Sequence, residues 1–351
     1  MTLDLAQQRL NFAQALSSPC VGCSATCCTF LPLHDFQITR LQELDYALYL
    51  LNFDRIELAW LQGGSWRAHY RAPCTKLDLA TRRCTVHGTD LQPNVCKRYD
   101  PYNCFYKRLF EGAETSDFVR MDRGRVRAWA DMVVFDGHRD IVGYPDRDAA
   151  LAVLPPLEPV VDPAIPDDPM LKTWEHAVRH QTGLPMKPAK TFRDFKSPCS
   201  GCDAYCCTRL SFPHGVPASL GNIDHLRFCL GFPGVEIGVH HNGDWTVVVR
   251  TRCKNLVDDP VQGRRCGVYG TPERPNACSI YDASMCGYKQ QHGQPRPGSF
   301  VRVQHDDFDV MAALFHFDDD GYVLHRPSHA DVRQAIEQRW ANEGPLTPEA
   351  R

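Results

Sequence analysis

Apolar side chains recur every three or four residues between positions 35 and 61, and this period predicts a helix over residues 35–61. The positions that set the period are Phe36, Leu41, Leu44, Ala47, Leu50 and Leu51. Gly63 and Gly64 follow directly, and glycine commonly ends a helix. We also expect a helix over residues 3–16.

Two stretches rich in aromatic and β-branched residues, Ser65–Arg71 and Asp244–Arg250, predict strands. Each strand leads to a cysteine three residues beyond its end, Cys74 or Cys253. Residues 258–263 have the composition of a turn, so we expect a hairpin tip there.

Short helices are expected to begin near Pro93 and Pro275, because proline fits the first helical turn, where the backbone N–H has no partner. Residues 118–135 and 300–317 are predicted to be rich in strands. Residues 328–340 begin with a capping-type serine and predict a C-terminal helix whose role is packing.

The chain contains an internal repeat. Residues 18–29 and 197–208 are identical at nine of twelve positions, and the two copies lie 179 residues apart. From Cys84 onward the second copy has three more residues, so the separation becomes 182. The predicted fold is therefore α+β, with two tandem, pseudo-symmetric, cysteine-rich modules stapled by metal. We assign the modules to residues 1–150 and 191–351.

Residues 151–190 lie between the two modules and contain eight prolines. This composition predicts an extended, stiff linker with one helix near residues 171–180.

Composition and charge narrow the classes of function. With 351 residues, 43% hydrophobic and 23% charged, the chain resembles an ordinary soluble globular protein. A net charge of −3 argues against a nucleic-acid partner, which normally meets a basic surface. The sequence has neither an apolar run of about 18 residues, which a membrane helix needs, nor a signal-peptide pattern. We therefore expect a cytoplasmic protein without a membrane partner, in which cysteines stay reduced.

Cysteine is the residue type that points to chemistry, since the chain has 17. Eight recur in each copy. They are Cys20, Cys23, Cys27, Cys28, Cys74, Cys84, Cys96 and Cys104 in the first copy, and Cys199, Cys202, Cys206, Cys207, Cys253, Cys266, Cys278 and Cys286 in the second. A Cys-x2-Cys pair can place two thiolates on one ion, whereas adjacent cysteines diverge. Eight thiolates could fill two four-thiolate sites, or one cluster with spare ligands.

Three interpretations of these cysteines remain. A disulfide framework suits the even count but not the lack of a secretion signal. A structural zinc module needs no further activity. A redox or catalytic iron–sulfur site is the third, although the bacterial ferredoxin spacing is absent.

The motif Ser-Pro-Cys-x-Gly-Cys-x3-Cys-Cys, followed by single cysteines and Arg-Pro-x2-Cys, resembles the YkgJ-like cysteine-cluster family. That family is described as zinc- or iron-chelating and is often labelled an iron–sulfur oxidoreductase. The resemblance covers residues 18–107 and 197–289. Arg274 begins the Arg-Pro-x2-Cys motif in the second copy, but Gln92 replaces it in the first. The resemblance implies that the chain binds zinc or iron, and says little about a reaction.

Three functions from different classes follow. The first is a metal-binding protein that holds zinc, iron or an iron–sulfur cluster in two eight-cysteine centres. The second is an iron or iron–sulfur oxidoreductase that modifies a peptide or a small molecule. The third is a metal-handling chaperone or regulator with a protein partner. No phosphate loop, nucleophile elbow or dinucleotide-binding loop points to another enzyme class.

A few other residues are candidates for the surroundings of the cysteines. Arg71 and Arg250, each three residues before a cysteine, either offset thiolate charge or form salt bridges. Cys229 has no counterpart in the first copy and is expected to be a buried thiol. Further metal-ligand candidates, also without counterparts, are His240, His241, His305, Asp306 and Asp307.

Overall fold

The structure is a computed structural model, and it describes residues 25–98, 118–159, 162–167, 169–182, 204–259, 263–280 and 300–343. We call residues 25–159 the first half and residues 204–343 the second half. The expected helix over residues 3–16 lies outside the described residues. No helix within the described ranges is long and apolar enough to cross a membrane.

Each half is built on a four-stranded antiparallel sheet, and the two sheets have the same strand order. The first sheet runs β1-β3-β2-β6, with β1 Phe30–Phe36, β2 Ile56–Leu61, β3 Trp66–Arg71 and β6 Phe118–Met121. The second runs β9-β11-β10-β14, with β9 Arg209–His214, β10 Val235–His240, β11 Trp245–Arg250 and β14 Phe300–Val303. The sequence repeat is thus a repeat of topology.

Four two-stranded hairpins complete the strands found among the described residues. They are β4 Leu77–Asp78 with β5 Arg83–Cys84, β7 Val134–Phe135 with β8 Ile141–Gly143, β12 Leu256–Asp259 with β13 Gly263–Cys266, and β15 His316–Phe317 with β16 Val323–His325. The first and third precede the short cysteine-bearing helices, and the other two follow the sheets.

Nine α-helices lie within the described residues. They are α1 Leu41–Leu50, α2 Asn94–Lys97, α3 Arg123–Ala130, α4 Arg147–Val153, α5 Pro169–Arg179, α6 Leu220–Leu230, α7 Asn276–Ser279, α8 Phe308–Ala312 and α9 His329–Glu343. Mixed helices and antiparallel sheets confirm the predicted α+β class.

Several predicted elements are confirmed. The predicted strands at 65–71 and 244–250 are β3 and β11, and the short helices α2 and α7 begin directly after Pro93 and Pro275. The C-terminal helix α9 follows Ser328, whose hydroxyl accepts a hydrogen bond from the backbone N–H of Asp331 at 3.2 Å. This is the N-cap that a serine provides.

The single helix predicted over residues 35–61 is wrong. Helix α1 covers only Leu41–Leu50, and strand β2 begins at Ile56. The helix ends at Leu50, and Arg55, directly before the strand, has a left-handed backbone (φ 62°) that a continuous helix does not contain. Strand β2 lies in the interior of the sheet between β3 and β6. The positions that set the helical period end at Leu51, and the nearly continuous burial of β2 gave no alternating pattern to mark it as a strand.

The segments 118–135 and 300–317 were predicted to be rich in strands, and this is only partly correct. Strands lie at their ends, but helix α3 occupies the middle of the first segment and helix α8 the middle of the second. Asp122 starts α3 by accepting a hydrogen bond from the Arg125 N–H at 2.9 Å. A capping aspartate thus selects helix over strand here. The hairpin expected at residues 258–263 is formed by β12 and β13, and the central residues of its tip lie outside the description.

One hydrophobic core runs through both halves. Large side chains from the first half, such as Trp66 and Trp129, belong to the same buried cluster as Phe212 and Trp340 from the second. Each of these four side chains is no more than 2% exposed. The two sheets are therefore parts of one packed body.

The proline-rich segment contains the predicted helix and is attached to both halves. Helix α5 packs its Trp174 ring edge-to-face against Trp340 of α9, with ring centres 4.8 Å apart. The Pro163 carbonyl accepts a hydrogen bond from Arg55, and the Pro166 carbonyl accepts one from Arg250. The described part of the linker therefore packs along the body.

A buried carboxylate lies on the central strand of each sheet. Glu57 of β2 accepts hydrogen bonds from Arg120 at 2.5 and 2.8 Å and from Arg71 at 3.3 Å. In the second half, Glu236 pairs in the same way with Arg302 and Arg250. Of the two roles considered for Arg71 and Arg250, the structure therefore gives both a salt bridge on the sheet.

Candidate metal centre

The adjacent cysteines of each half lie in a 3-10 turn at the entrance to the first strand of the sheet. These turns are Thr26–Cys28 and Tyr205–Cys207. The alanine before each turn has a left-handed backbone, with φ 61° at Ala25 and φ 58° at Ala204. This conformation is costly for an L-residue, so its presence in both halves shows a shared requirement for a sharp reversal.

The next cysteine along the chain is held against this turn by the backbone. The Cys74 N–H donates to the Cys28 carbonyl at 2.7 Å, and the Cys253 N–H donates to the Cys207 carbonyl at 2.7 Å. These bonds continue the pairing of β1 with β3 and of β9 with β11. The strands thus bring Cys74 and Cys253 to the cysteine pairs, as the sequence predicted.

The hairpin that follows adds a further thiol in each half. Cys84 pairs with Leu77 across β4 and β5, and Cys266 pairs with Leu256 across β12 and β13. Each of these leucines also donates its N–H to the carbonyl of the preceding cysteine, Cys74 or Cys253, at 3.0 Å. The hairpin is therefore folded back toward the sheet end that carries the earlier cysteines.

The last described cysteines lie on one-turn helices. Cys96 is on α2 and Cys278 is on α7, each three residues after a proline with φ −56°. Each half therefore carries four cysteines on successive elements, and the charges of the first three act on the thiol of the fourth. We call Cys27, Cys74, Cys84 and Cys96 the first cysteine cluster, and Cys206, Cys253, Cys266 and Cys278 the second cysteine cluster.

The thiols of the first cluster are close enough to influence one another's ionisation. Burial raises the pKa of Cys96 to about 12, and negative charge on Cys27, Cys74 and Cys84 acts in the same direction. Burial also raises the pKa of Cys74, again with a contribution from Cys84 and Cys27. Two causes, loss of water and the charge of neighbouring thiols, favour the protonated form of Cys74 and Cys96 when no cation is bound.

The second cluster repeats this electrostatic pattern. Burial raises the pKa of Cys278 to about 12, followed by the charges of Cys206, Cys253 and Cys266. The pKa of Cys253 rises to about 11 for the same reasons. A bound divalent cation reverses this balance and deprotonates coordinating thiols. Soft sulfur donors grouped in this way have the chemistry that zinc and iron–sulfur clusters use.

The structure describes ten of the sixteen predicted metal ligands. Cys28 and Cys207 lie beside the clusters, with the Cys207 sulfur 4.0 Å from that of Cys206. Within the ranges described, no group of three or more His, Cys, Asp or Glu side chains has the spacing of a metal site. No disulfide joins any of the eleven described cysteines. The ligands outside the described residues are Cys20, Cys23, Cys104, Cys199, Cys202 and Cys286.

Each cluster is bordered by residues of the opposite half, and the sequence did not predict this. Asp224 of α6 contributes to the electrostatic field at Cys96 in the first half. Tyr49 of α1 is partly buried near the second cluster, and its pKa is raised well above its ordinary value by loss of water and then by the charge of Cys278. Asp45 and Asp224 occupy equivalent positions of the repeat, and this equivalence is the one feature of the sequence that could have indicated such contacts.

Cys229 and the additional candidates lie apart from the clusters. Cys229 is 2% exposed and its sulfur is 3.6 Å from Nε2 of His225, so the expectation of a buried thiol is confirmed. Asp307 is fully buried and bonds to Trp340 and Arg339, which is a structural role. His305 lies 3.1 Å from Asp306 at the surface. His240 lies 3.1 Å from the Thr246 hydroxyl.

Comparison with known proteins adds nothing to this geometry. No protein-family model, no curated protein and no solved structure matches the chain.

Proposed function

We propose that this chain is a metal-binding protein that holds zinc or iron, including iron as an iron–sulfur cluster, in two duplicated eight-cysteine centres. The observation that supports the proposal is that backbone hydrogen bonds join elements that carry cysteines far apart in sequence: Cys74 bonds to Cys28, and the strand paired with Cys84 bonds to Cys74. Cys27, Cys74, Cys84 and Cys96 come from a turn, a strand end, a hairpin and a short helix. The same arrangement occurs again in the second half.

Packing in an apolar core does not explain why these cysteines are grouped. The clustered thiols are only partly buried, and Cys206 is exposed, whereas a cysteine used for packing would be buried like Cys229. Burial, followed by the charge of neighbouring thiols, raises the pKa of Cys96 and of Cys278, and a bound cation would neutralise that charge.

The chain's own residues would have three tasks at such a centre. Cys74 and Cys253 are fixed by backbone hydrogen bonds, so their sulfur atoms are presented from rigid positions. The short helices α2 and α7 would present the later cysteines, Cys96 and Cys278, to the same ion. The partial burial of the thiols limits access of water. A bound metal would supply cross-linking of these segments and, if it is iron, redox chemistry.

The proposal includes two tandem metal-stapled modules and a reducing compartment, the cytoplasm, because thiolate ligands require reduced cysteines. The modules correspond to the two repeats, and residues 151–190 join them. Oxidoreductase activity or metal transfer would be additional properties of the same centres.

The test is elemental analysis of the full chain purified without oxygen, together with its absorption spectrum. We expect at least one equivalent of zinc or iron per half. Visible charge-transfer bands with acid-labile sulfide would assign an iron–sulfur centre, and a colourless protein would assign zinc. Rapid loss of the ion to a mild chelator would favour a metal-handling role. Folded protein with both metals below stoichiometry would overturn the proposal.

A further inference from the structure

We propose that each cysteine centre is assembled in trans, with Asp45 of the first half positioning the cysteine helix of the second, and Asp224 of the second half positioning that of the first. This inference rests on the proposed function, because it concerns how the two metal centres are built. Asp45 and Asp224 are positioning residues, since they contact the backbone that carries a cysteine and not the sulfur atom.

The contact to the second centre uses both oxygens of one carboxylate. Asp45 lies on α1, and its Oδ1 accepts a hydrogen bond from the Asn276 N–H at 3.3 Å. Its Oδ2 accepts one from the Ala277 N–H at 3.4 Å. These residues form the first turn of α7 and directly precede Cys278. The carboxylate therefore fixes the turn that presents the Cys278 sulfur.

The reciprocal contact to the first centre is shorter. Asp224 lies on α6, and its Oδ2 accepts a hydrogen bond from the Asn94 N–H at 2.5 Å. Asn94 begins helix α2 and lies two residues before Cys96. Each half thus provides the carboxylate that holds the other half's last described cysteine.

A second set of bonds in trans holds an earlier cysteine of each centre. The Thr75 N–H donates to the Gly231 carbonyl at 2.8 Å, and the Lys254 N–H donates to the Asn52 carbonyl at 2.7 Å. Thr75 directly follows Cys74. A Cβ added to Gly231 would lie 3.5 Å from the Cys74 sulfur. The opposite half therefore meets the first centre at both Cys74 and Cys96.

The charge of these carboxylates does not favour the centres. A negative charge near a thiol opposes formation of the thiolate that a metal needs, and Asp224 acts in this way on Cys96. The benefit must therefore come from the hydrogen bonds, which fix backbone geometry. Mutation of residues that orient ligands without binding the metal typically costs about 10- to 100-fold in metal affinity.

The use of both oxygens by Asp45 makes Asp45→Asn a sharp probe. An asparagine keeps one acceptor and turns the other into an NH2 donor, which would face a backbone N–H. The matched control is Glu43→Gln, which removes one negative charge from the same helix. Glu43 accepts its hydrogen bonds from Thr39 and has none to α7.

The experiment measures zinc affinity by competition with a chromophoric chelator in two backgrounds of the full chain. Cys74→Ser disables the first centre and Cys253→Ser disables the second. We expect Asp45→Asn to weaken zinc binding at least tenfold in the Cys74→Ser background, and to change it less than twofold in the Cys253→Ser background. Asp224→Ala should give the opposite pattern, and Glu43→Gln no change in either background.

The possible results distinguish failure of this inference from failure of the proposed function. If Asp45→Asn lowers zinc affinity equally in both backgrounds, the substitution destabilises the protein in general and the inference is overturned. The inference is also overturned if zinc affinity falls in neither background. If wild-type protein binds no metal, the proposed function fails. The inference is then tested by alkylation of the metal-free protein, where Asp45→Asn should accelerate modification of Cys278 but not of Cys96. If Asp45→Asn does not fold, Asp45→Ser, which retains one acceptor, replaces it in both assays.

Discussion

The carboxylate of Glu57 and the guanidinium of Arg120 face each other across the first sheet, with Nε of Arg120 2.5 Å from Oε1 of Glu57. Glu57 is the acidic centre of a group that also includes Arg71, and its side chain is only 6% exposed. Removing a buried carboxylate that serves two arginines has a large effect, because Arg120 loses this carboxylate and Arg71 keeps only Asp162 among its described partners.

Replacing this carboxylate should be strongly destabilising. We expect Glu57→Ala to lower the free energy of unfolding by about 3–5 kcal/mol, since it leaves buried positive charge uncompensated. Urea denaturation, with the metal content of both proteins held the same, measures the loss of unfolding free energy. The control is Asp35→Asn, which breaks the pair with Arg67 at 2.6 Å on a side chain that is 54% exposed. An exposed pair is worth about 1 kcal/mol at most, so similar losses in both variants would contradict this account.

His69 should make the fold sensitive to mild acid. Burial, followed by the positive charge of Arg67, lowers its pKa from the ordinary 6.5 to about 3, although nearby Asp35 acts in the opposite direction. In the folded protein His69 is therefore neutral, but in the unfolded chain it binds a proton below pH 6.5. Its stabilising contribution is full above pH 6.5 and falls between pH 6.5 and 3, with a loss of about 2 kcal/mol by pH 5.

The second half offers the matched replacement for this histidine. Val248 occupies the equivalent position on β11, so His69→Val is compatible with the strand. Unfolding free energies measured from pH 7.5 to 5 should fall less steeply with acid in this variant than in wild type. Equal slopes in the two proteins would show that another group causes the acid sensitivity.

Cysteines of the clusters and the cysteine of the core should respond differently to substitution. Cys74→Ser should remove the metal of the first half and lower the melting temperature, because binding energy at a thiolate site contributes directly to folding. Cys229→Ala should leave the metal content unchanged, since Cys229 lies in the core beside His225. Metal analysis of both variants makes the comparison, and loss of metal from Cys229→Ala would contradict the separation of the two kinds of cysteine.

The linker helix should be released by a single change. Trp174 packs edge-to-face against Trp340 and donates a hydrogen bond to Glu337 at 3.0 Å. Trp174→Ala should cost about 2 kcal/mol of local stability. This corresponds to roughly 30-fold faster proteolysis in residues 154–167 when opening is fast relative to cleavage. Lys172→Ala, which removes only an exposed pair with Asp167, should leave the rate of cleavage unchanged.

The sequence predicted the parts of the fold that depend on local pattern or on the repeat. The strands that lead to Cys74 and Cys253, the short helices after Pro93 and Pro275, and the equivalence of the two halves all follow from such signals. The cysteines were found because their spacing recurs.

Other parts could not be found in this way. Strand β2 contains none of the positions that set the helical period, and its nearly continuous burial gives no alternation that would have marked it as a strand. The contacts of Asp45 with α7 and of Asp224 with α2 join residues about 130 to 230 positions apart, so no local pattern encodes them. The sequence shows that Asp45 and Asp224 occupy equivalent positions of the repeat. This equivalence does not indicate a contact unless the packing of the two halves is known.

The contacts between the halves have the pattern of a two-fold symmetric dimer contained in one polypeptide. Asp45 meets Asn276 and Asp224 meets Asn94, so one patch of the repeat binds the same patch on its copy. Separate chains with such a self-complementary interface would complete their cysteine centres only above the dissociation constant for the dimer. Because residues 151–190 join the two copies, their effective concentration is fixed by the linker. Assembly of both centres should therefore be independent of protein concentration, even when the protein is dilute.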